Sequence, residues 1–343
     1  MNDKQWLEDD FEAGDLLLSS GATLNSARLH YHQIGKLNAP KDNLILLPTY
    51  YGGAAAGNHP WVGSDSPLNP DKYCIVIPSM LGAGESSSPS TTHGQQAGPG
   101  FPEISLYDNV MLQKLLVDEV FGGAGIALVM GWSMGGMQAL QWGCLFPEQV
   151  RGVLATCCTA RCYPHNRVFL EGAKAALTCD QNFQEGHYQS PPRRGLRAFG
   201  RVYAGWAYSQ AFFRSELWRC LGFDSIEALL RFWEDDHLGQ DANNLLSALG
   251  TWQRGDVSDN PMFEGDYQAA LASLTMPTRV MPGSTDLYFT VEDALQDARQ
   301  MPGATFDPLT SDWGHIAGGP GRESRSHPKI LGAAQSLLSK KGP

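Results

Sequence analysis

Short runs of consecutive apolar residues recur along the chain, and longer polar or mixed stretches separate them. The runs lie at positions 29–34, 43–48, 73–78, 126–130, 151–156, 278–282 and 304–309. A strand that is covered on both faces has few polar positions, so apolar runs of this length predict strands in a mostly parallel sheet. Residues 328–338 have the pattern of a final helix. The sequence therefore predicts an α/β fold with a mostly parallel central sheet flanked by helices.

Between residues 163 and 274 the pattern changes to helical spacing with many large aromatic side chains. The aromatic residues are Phe169, Tyr203, Trp206, Tyr208, Phe212, Phe213, Trp218, Phe232 and Trp233. Strand-like runs resume at residue 278, so we expect the sheet to continue after this region. The sequence predicts a core made of residues 1–162 and 275–343, and a helical lid insertion made of residues 163–274.

The composition narrows the range of partners. The 343 residues are 42% hydrophobic and include 25 basic and 36 acidic side chains, which gives a formal charge of −11. Such a charge disfavours binding to nucleic acid or to an anionic membrane surface. The first ten residues lack the pattern of a secretory leader, and no apolar run approaches 18 residues. We expect a cytoplasmic protein with a small-molecule substrate. The aromatic residues of the lid could form a substrate pocket or, equally, a homodimer contact.

The seven cysteines form an odd set without a paired Cys-x-x-Cys arrangement, and several lie in apolar segments. This pattern favours buried free thiols. Cys157, Cys158 and Cys162 lie close together, but they lack a nearby fourth ligand of suitable spacing. The sequence therefore predicts no metal site.

One serine lies between two glycines, after an apolar run and before a helix-compatible segment. This is Ser133, with Gly131 and Gly135 on either side of it. A serine in the strained turn between a strand and a helix needs neighbours without side chains, because the backbone approaches closely there. The context is typical of the nucleophile elbow of the α/β-hydrolase fold. The backbone N–H of Met134 then lies at a helix N-terminus, where it can donate to a developing oxyanion.

A serine hydroxyl is a weak nucleophile, so it needs a base and a group that orients the base. In this fold the chain order is serine, acid, histidine. Asp286 follows the run at 278–282, and His315 follows the run at 304–309. The sequence therefore predicts Ser133, Asp286 and His315 as a catalytic triad.

Alternatives remain open for the acid and the base. Asp286 could be a turn residue in an Asx turn. Asp312 is the next candidate for the acid, whereas Asp293 and Asp297 have the spacing of a surface helix. His315 could be a hydrogen-bonded structural histidine, although no other histidine lies in the loop directly after the last predicted strand.

The loop after Leu47 is expected to face the elbow and to supply a second oxyanion donor. Thr49 and Tyr50 are the candidates, and Gly52 and Gly53 allow this loop to fold closely. We also expect Tyr50 at the substrate site, and the alternative is that these residues only pack the pocket wall.

Longer motifs surround these candidates. They lie at 47–53, 68–73, 81–84, 131–142, 286–289 and 314–315. With these motifs the chain resembles the homoserine O-acetyltransferase (MetX-like) branch of the α/β-hydrolase superfamily. The elbow extended as Gly-Trp-Ser-Met-Gly-Gly-Met-Gln-Ala-Leu-Gln-Trp is much more specific than Gly-x-Ser-x-Gly alone.

The resemblance implies a role for each candidate. Ser133 would carry the acyl group, His315 would act as base and then as acid, and Asp286 would orient it. Thr49 and Met134 would supply the oxyanion N–H groups.

The resemblance also points to two residues of the lid. Arg201 and Tyr208 resemble the lid arginine and tyrosine that contact the substrate in that family, and Arg201 could hold a carboxylate. The other interpretation is that Arg201 pairs with Glu216 or Asp235, or is exposed to water.

One departure from the family bears on the substrate. There an aspartate that helps to recognise an ammonium group follows the catalytic histidine, whereas here His315 is followed by Ile316-Ala317-Gly318-Gly319. We therefore favour a serine hydrolase of a small ester, thioester or related carbonyl compound, which needs no cofactor. The alternative is an O-acyltransferase with acetyl-CoA as co-substrate, for which Arg193, Arg194 and Arg197 are candidate contacts at the mouth of the site. An intact triad argues against a catalytically silent relative.

Overall fold

The computed structural model describes residues 5–321 and 323–339. In these ranges it contains one eight-stranded sheet and ten α-helices. The strands are β1 (Leu7–Leu17), β2 (Thr23–Ile34), β3 (Leu44–Leu46), β4 (Cys74–Pro78), β5 (Ile126–Trp132), β6 (Val153–Thr156), β7 (Thr278–Met281) and β8 (Ala304–Phe306). The helices are α1 (Leu106–Glu119), α2 (Met134–Leu145), α3 (Pro164–Thr178), α4 (Arg193–Ala207), α5 (Gln210–Arg214), α6 (Ile226–Leu238), α7 (Ala242–Gln253), α8 (Tyr267–Ala272), α9 (Val291–Ala298) and α10 (His327–Ser339).

The sheet is mostly parallel, as the apolar runs predict. Its strand order is β1-β2-β4-β3-β5-β6-β7-β8. All pairs from β4 to β8 are parallel, whereas β1 pairs with β2 and β2 pairs with β4 in antiparallel fashion. Every residue of β3, β4 and β6 is buried, which explains why these strands lack polar positions. The predicted fold class is confirmed.

Strand β1 has no counterpart among the sequence predictions. It covers Leu7–Leu17 at one edge of the sheet, and Phe11 is its one buried residue. Leu17 is 73% exposed. An edge strand with exposed side chains needs no apolar run, so its polar sequence gives little sign of its pairing with β2.

Helices α3 to α8 lie between β6 and β7, in the region predicted as the lid insertion. Helix α4 packs against α3 and α6. Its buried face includes Phe199, Tyr203 and Ala207, which are spaced four residues apart. Tyr203 stacks on Tyr51 of the core at 5.5 Å between ring centroids. This contact places α4 over the loop that follows β3.

None of the helices in the described ranges has both the length and the apolar character that crossing a membrane requires. All seven cysteines are free. Five of them are buried, while Cys179 and Cys220 are exposed.

Candidate active site

The elbow holds Ser133 in a strained backbone conformation between β5 and α2. Its φ and ψ angles are 57° and −129°. A Cβ atom on Gly131 would lie 2.0 Å from the carbonyl oxygen of Gly135, and one on Gly135 would lie 2.5 Å from that of Pro48. Both glycines are therefore required by close backbone approach, and the strain is of the kind that concentrates at functional sites.

Asp286 and His315 form a buried pair. His315 Nδ1 lies 2.8 Å from Asp286 Oδ2, and both side chains are almost completely shielded from solvent. The ring of His315 also contacts Tyr288 at 4.5 Å and Trp132 at 4.9 Å between centroids. The Trp132 indole N–H donates to the His315 carbonyl oxygen at 3.1 Å. The histidine is thus fixed by its side chain and by its backbone.

The Asp286 carboxylate accepts several hydrogen bonds. Oδ1 accepts from the backbone N–H groups of Tyr288 at 2.8 Å and Phe289 at 3.2 Å. Burial raises the pKa of the Cys157 thiol, and the nearby Asp286 carboxylate raises this pKa further. Cys157 is therefore protonated and can donate to Asp286. The donors around Asp286 hold it in one orientation toward His315.

Cys157 is a contact that the sequence interpretation missed. It directly follows β6 and has a φ angle of 46°, which is unusual for a residue other than glycine. Its sulfur and the ligand atoms of Asp286 and His315 all lie within 4.8 Å of one another, the one such group of three in the described ranges. The Asp286–His315 hydrogen bond and the thiol–carboxylate contact account for this closeness. Cys158 and Cys162 do not join the group.

Met134 is the first residue of α2, where backbone N–H groups have no acceptor within the helix. Thr49 differs from its predicted role. Its backbone N–H donates to the Pro78 carbonyl oxygen at 3.2 Å, and its Oγ1 accepts from the Met80 N–H at 2.9 Å. The Thr49 amide therefore continues the β3–β4 ladder instead of facing the site, which corrects its assignment to the oxyanion hole. Tyr50, the other candidate, lines the cavity that Ser133 also lines.

A buried chain of hydrogen bonds supports the loop that carries Thr49 and Tyr50. Gln138 Nε2 donates to the Thr49 carbonyl oxygen at 2.9 Å, and its Oε1 accepts from Gln113 Nε2 at 2.7 Å. Gln113 in turn accepts from the Trp142 indole N–H at 2.8 Å. Gln138 and Trp142 belong to the extended elbow motif, so that motif also encodes the support of the facing loop.

Ser133 and His315 line one cavity of about 310 Å³ between the core and the lid insertion. Its wall contains Tyr50 and residues 51–54 from the core, and Tyr203, Ala207 and five residues at 232–240 from the lid. Ile316, which follows His315, also lines it. Sequence reasoning identified Tyr50 but none of the residues that α6 contributes as wall residues.

Two lid residues predicted to contact the substrate are placed elsewhere. The Arg201 guanidinium is bound by Glu227, at 2.6 Å, and by Glu234, and it does not line the cavity. Glu234 also lies 3.9 Å from Arg197. Arg201 is therefore a paired surface residue, although its partners are not the predicted Glu216 or Asp235.

Tyr208 is fully buried and stacks on Phe212 at 4.1 Å between centroids. It belongs to the aromatic core of the lid and is not part of the cavity wall. Neither Arg201 nor Tyr208 can contact a substrate in this arrangement.

Comparison with known proteins agrees with the fold. The alpha/beta hydrolase fold family matches residues 42–319. The chain is 38% identical over 307 residues to an ethyl acetate hydrolase of Pseudomonas veronii, covering 88% of this chain and 87% of the relative. It is 30% identical over 322 residues to a homoserine O-acetyltransferase of Chlorobium chlorochromatii, covering 87% of each.

Among solved structures, the acetyl esterase MekB superposes with a TM-score of 0.94 at 35% identity, covering 97% of both chains. These relatives confirm the predictions of an enzyme and of a likeness to homoserine O-acetyltransferases. The chain belongs to the α/β-hydrolase fold family, in the branch that includes esterases and homoserine O-acetyltransferases.

Proposed function

We propose that this protein hydrolyses small esters, acetate esters among them, through an acyl-Ser133 intermediate. The observation that carries the proposal is the arrangement of the cavity, which both the strained Ser133 and the His315 ring paired with Asp286 line. Relatives named as an ethyl acetate hydrolase and an acetyl esterase support the choice of a short acyl group.

The mechanism uses this chain's own side chains and water. His315 Nε2 takes the hydroxyl proton as Ser133 Oγ attacks the ester carbonyl carbon. The Met134 N–H and, in place of Thr49, the Tyr50 N–H donate to the oxyanion of the tetrahedral intermediate. The C–O bond to the alcohol then breaks, and His315 returns the proton to the leaving alcohol oxygen. Asp286 stabilises the imidazolium throughout this step.

Water completes the cycle. His315 takes a proton from the water as its oxygen attacks the acyl carbon, and the second tetrahedral intermediate releases the carboxylic acid and restores the Ser133 hydroxyl. Each step moves a proton between oxygen and His315 Nε2, so the reaction calls on no cofactor.

Hydrolysis is favoured over transfer to an amino acid by two features of the wall. The position after the catalytic histidine is the apolar Ile316, which lines the cavity and places no carboxylate beside His315. Arg201 is held by Glu227 and Glu234, so it cannot bind a carboxylate in the cavity. The described residues of the wall include no lysine or arginine that could pair with the carboxylate of a homoserine acceptor.

Two assays test the proposal. The purified protein should hydrolyse p-nitrophenyl acetate and ethyl acetate, and a fluorophosphonate probe should label it, while Ser133→Ala should abolish hydrolysis and labelling. Labelling that persists in the variant would refute the nucleophile. Acetyl-CoA consumption that depends on homoserine and yields O-acetylhomoserine would establish the transferase alternative.

Location and assembly are also proposals. The seven free thiols support a reducing compartment and hence the cytoplasm, which cell fractionation would test. A homodimer is a second proposal, and sedimentation would test it.

A further inference from the structure

One face of helix α6 forms much of the part of the cavity wall that belongs to the lid. Phe232, Trp233, Asp236 and His237 line the cavity, followed by Gln240 just beyond the helix. The spacing of four residues from Phe232 to Asp236 and from Trp233 to His237 places these pairs on one face. Among the described residues that line the cavity, Asp236 is the one with a formal charge.

No nearby cation cancels this charge. Arg197 and Arg201 of the adjacent α4 pair with Glu234 and Glu227, outside the cavity. In the described part of the chain, Asp236 itself pairs with no lysine or arginine, and its one ionisable partner is His237, whose Nδ1 lies 3.5 Å from Asp236 Oδ2.

His237 does not neutralise Asp236 either. Burial lowers the pKa of His237, and its Nδ1 lies 2.9 Å from the Trp233 carbonyl oxygen. A carbonyl only accepts, so Nδ1 carries the hydrogen and the ring is neutral near pH 7. Asp236 lines the cavity, and its side chain is 48% exposed.

Aromatic rings make up much of the remaining wall. They belong to Tyr50, Tyr51, Trp132, Tyr203, Phe232, Trp233 and Tyr288. The faces of such rings carry partial negative charge and attract cations, most strongly where water is excluded. The formal charge of −11 on the whole chain adds a field of the same sign. The wall therefore favours a positively charged group over a neutral or an anionic one.

We propose that this site, if it has the esterase function proposed above, prefers esters whose alcohol part carries a single positive charge, and that Asp236 recognises that charge. The substrate class is the short-chain ester of a quaternary ammonium alcohol or a protonated amino alcohol. The charge belongs to the alcohol part because the proposed acyl group is short and neutral. Amino acids fit less well, because the described residues of the wall include no lysine or arginine for their carboxylate.

A pair of substrates with the same shape isolates the effect of charge. Acetylcholine and 3,3-dimethylbutyl acetate differ only in a quaternary nitrogen that replaces a carbon atom. We would measure kcat/KM for both and divide each value by the rate of hydroxide-catalysed hydrolysis, which removes the difference in intrinsic reactivity. The corrected ratio should favour acetylcholine by about tenfold in the wild type, and salt should reduce it.

Substitutions at two neighbouring positions test whether the corrected ratio depends on the Asp236 carboxylate. Asp236→Asn should lower the corrected ratio about tenfold, whereas Asp235→Asn, an exposed neighbour that does not line the cavity, should leave it at the wild-type value. Two results would refute the charge preference while leaving the esterase function intact. In the first, the wild type hydrolyses the neutral ester and its corrected ratio is one or less. In the second, Asp236→Asn has the same corrected ratio as the wild type. Failure to hydrolyse either ester, together with no labelling of Ser133, would refute the esterase function itself.

Discussion

Replacing Asp286 with asparagine tests the catalytic pair with almost no change in shape. The amide oxygen can keep the two hydrogen bonds from the backbone N–H groups of Tyr288 and Phe289. The amide NH₂ then occupies the position of Oδ2, 2.8 Å from His315 Nδ1. Two donors cannot face each other, so the His315 proton moves from Nδ1 to Nε2. The nitrogen that must accept the Ser133 proton is then already protonated.

The expected loss follows from the same geometry. A carboxylate and an imidazolium whose charges lie about 4 Å apart attract each other by about 4 kcal/mol at an effective dielectric constant of about 20. Loss of this attraction alone lowers kcat by about 10³-fold. The change of tautomer adds to it, and the equivalent substitution in a serine protease lowers kcat by about 10⁴-fold. We therefore expect a loss of between about 10³-fold and 10⁴-fold.

Steady-state hydrolysis of p-nitrophenyl acetate measures kcat, and urea unfolding verifies that the variant folds. Asp312→Asn is the matched control, because Asp312 is exposed and lies three residues before His315. Asp312→Asn should retain the wild-type kcat. A folded Asp286→Asn protein with a kcat close to the wild-type value would refute the role of Asp286, and a large loss in Asp312→Asn would transfer that role to Asp312.

Substitutions at three further positions probe the surroundings of the site and a pair of histidines beside the sheet. Gln138→Leu leaves the Thr49 carbonyl and the Gln113 amide without their partner, so the free energy of unfolding in urea should fall by about 2–4 kcal/mol; an unchanged midpoint would contradict this. Cys157→Ala should lower kcat about tenfold by removing a donor to Asp286, and Cys157→Ser should restore most of it; equal losses in both would show that the thiol only fills space. His32 Nδ1 lies 2.9 Å from His59 Nε2, and burial lowers the pKa of each histidine below its ordinary value of 6.5. The unfolded chain then binds more protons just below that pH, so stability should fall on acidification, and His59→Phe should reduce this fall in pH-dependent urea unfolding; an undiminished fall would place its source elsewhere.

The central strands β3, β4, β5 and β6 could be predicted because they are buried on both faces and therefore mostly apolar. The elbow could be predicted because Gly131 and Gly135 are fixed by local backbone contacts, and local contacts leave a local pattern in the sequence. Strand β1 could not be predicted in this way, because most of its side chains are exposed at the edge of the sheet and need not be apolar.

The errors at the site have a similar cause. The motif shows that Thr49 lies in the loop after β3. It does not show that the Thr49 N–H donates to the carbonyl oxygen of Pro78 in the neighbouring strand β4. Arg201 lies in the expected region of the lid, but its guanidinium points toward Glu227 and Glu234 on helix α6 instead of toward the cavity. The role of α6 was missed for the same reason. The spacing of its apolar residues predicts a helix with one buried face, but it does not show that this face lines the cavity.

The triad and the α6 face come from different parts of the chain. Ser133, Asp286 and His315 follow core strands, whereas Phe232, Trp233, Asp236 and His237 belong to an insertion that begins and ends between two neighbouring strands. Mutations on that helix can therefore alter which molecules are accepted while the bond-breaking apparatus stays intact. Grafting the α6 surface of a related enzyme onto this scaffold offers a direct route to new substrate ranges, and the same separation gives natural selection a means of diversifying one reaction across many metabolites.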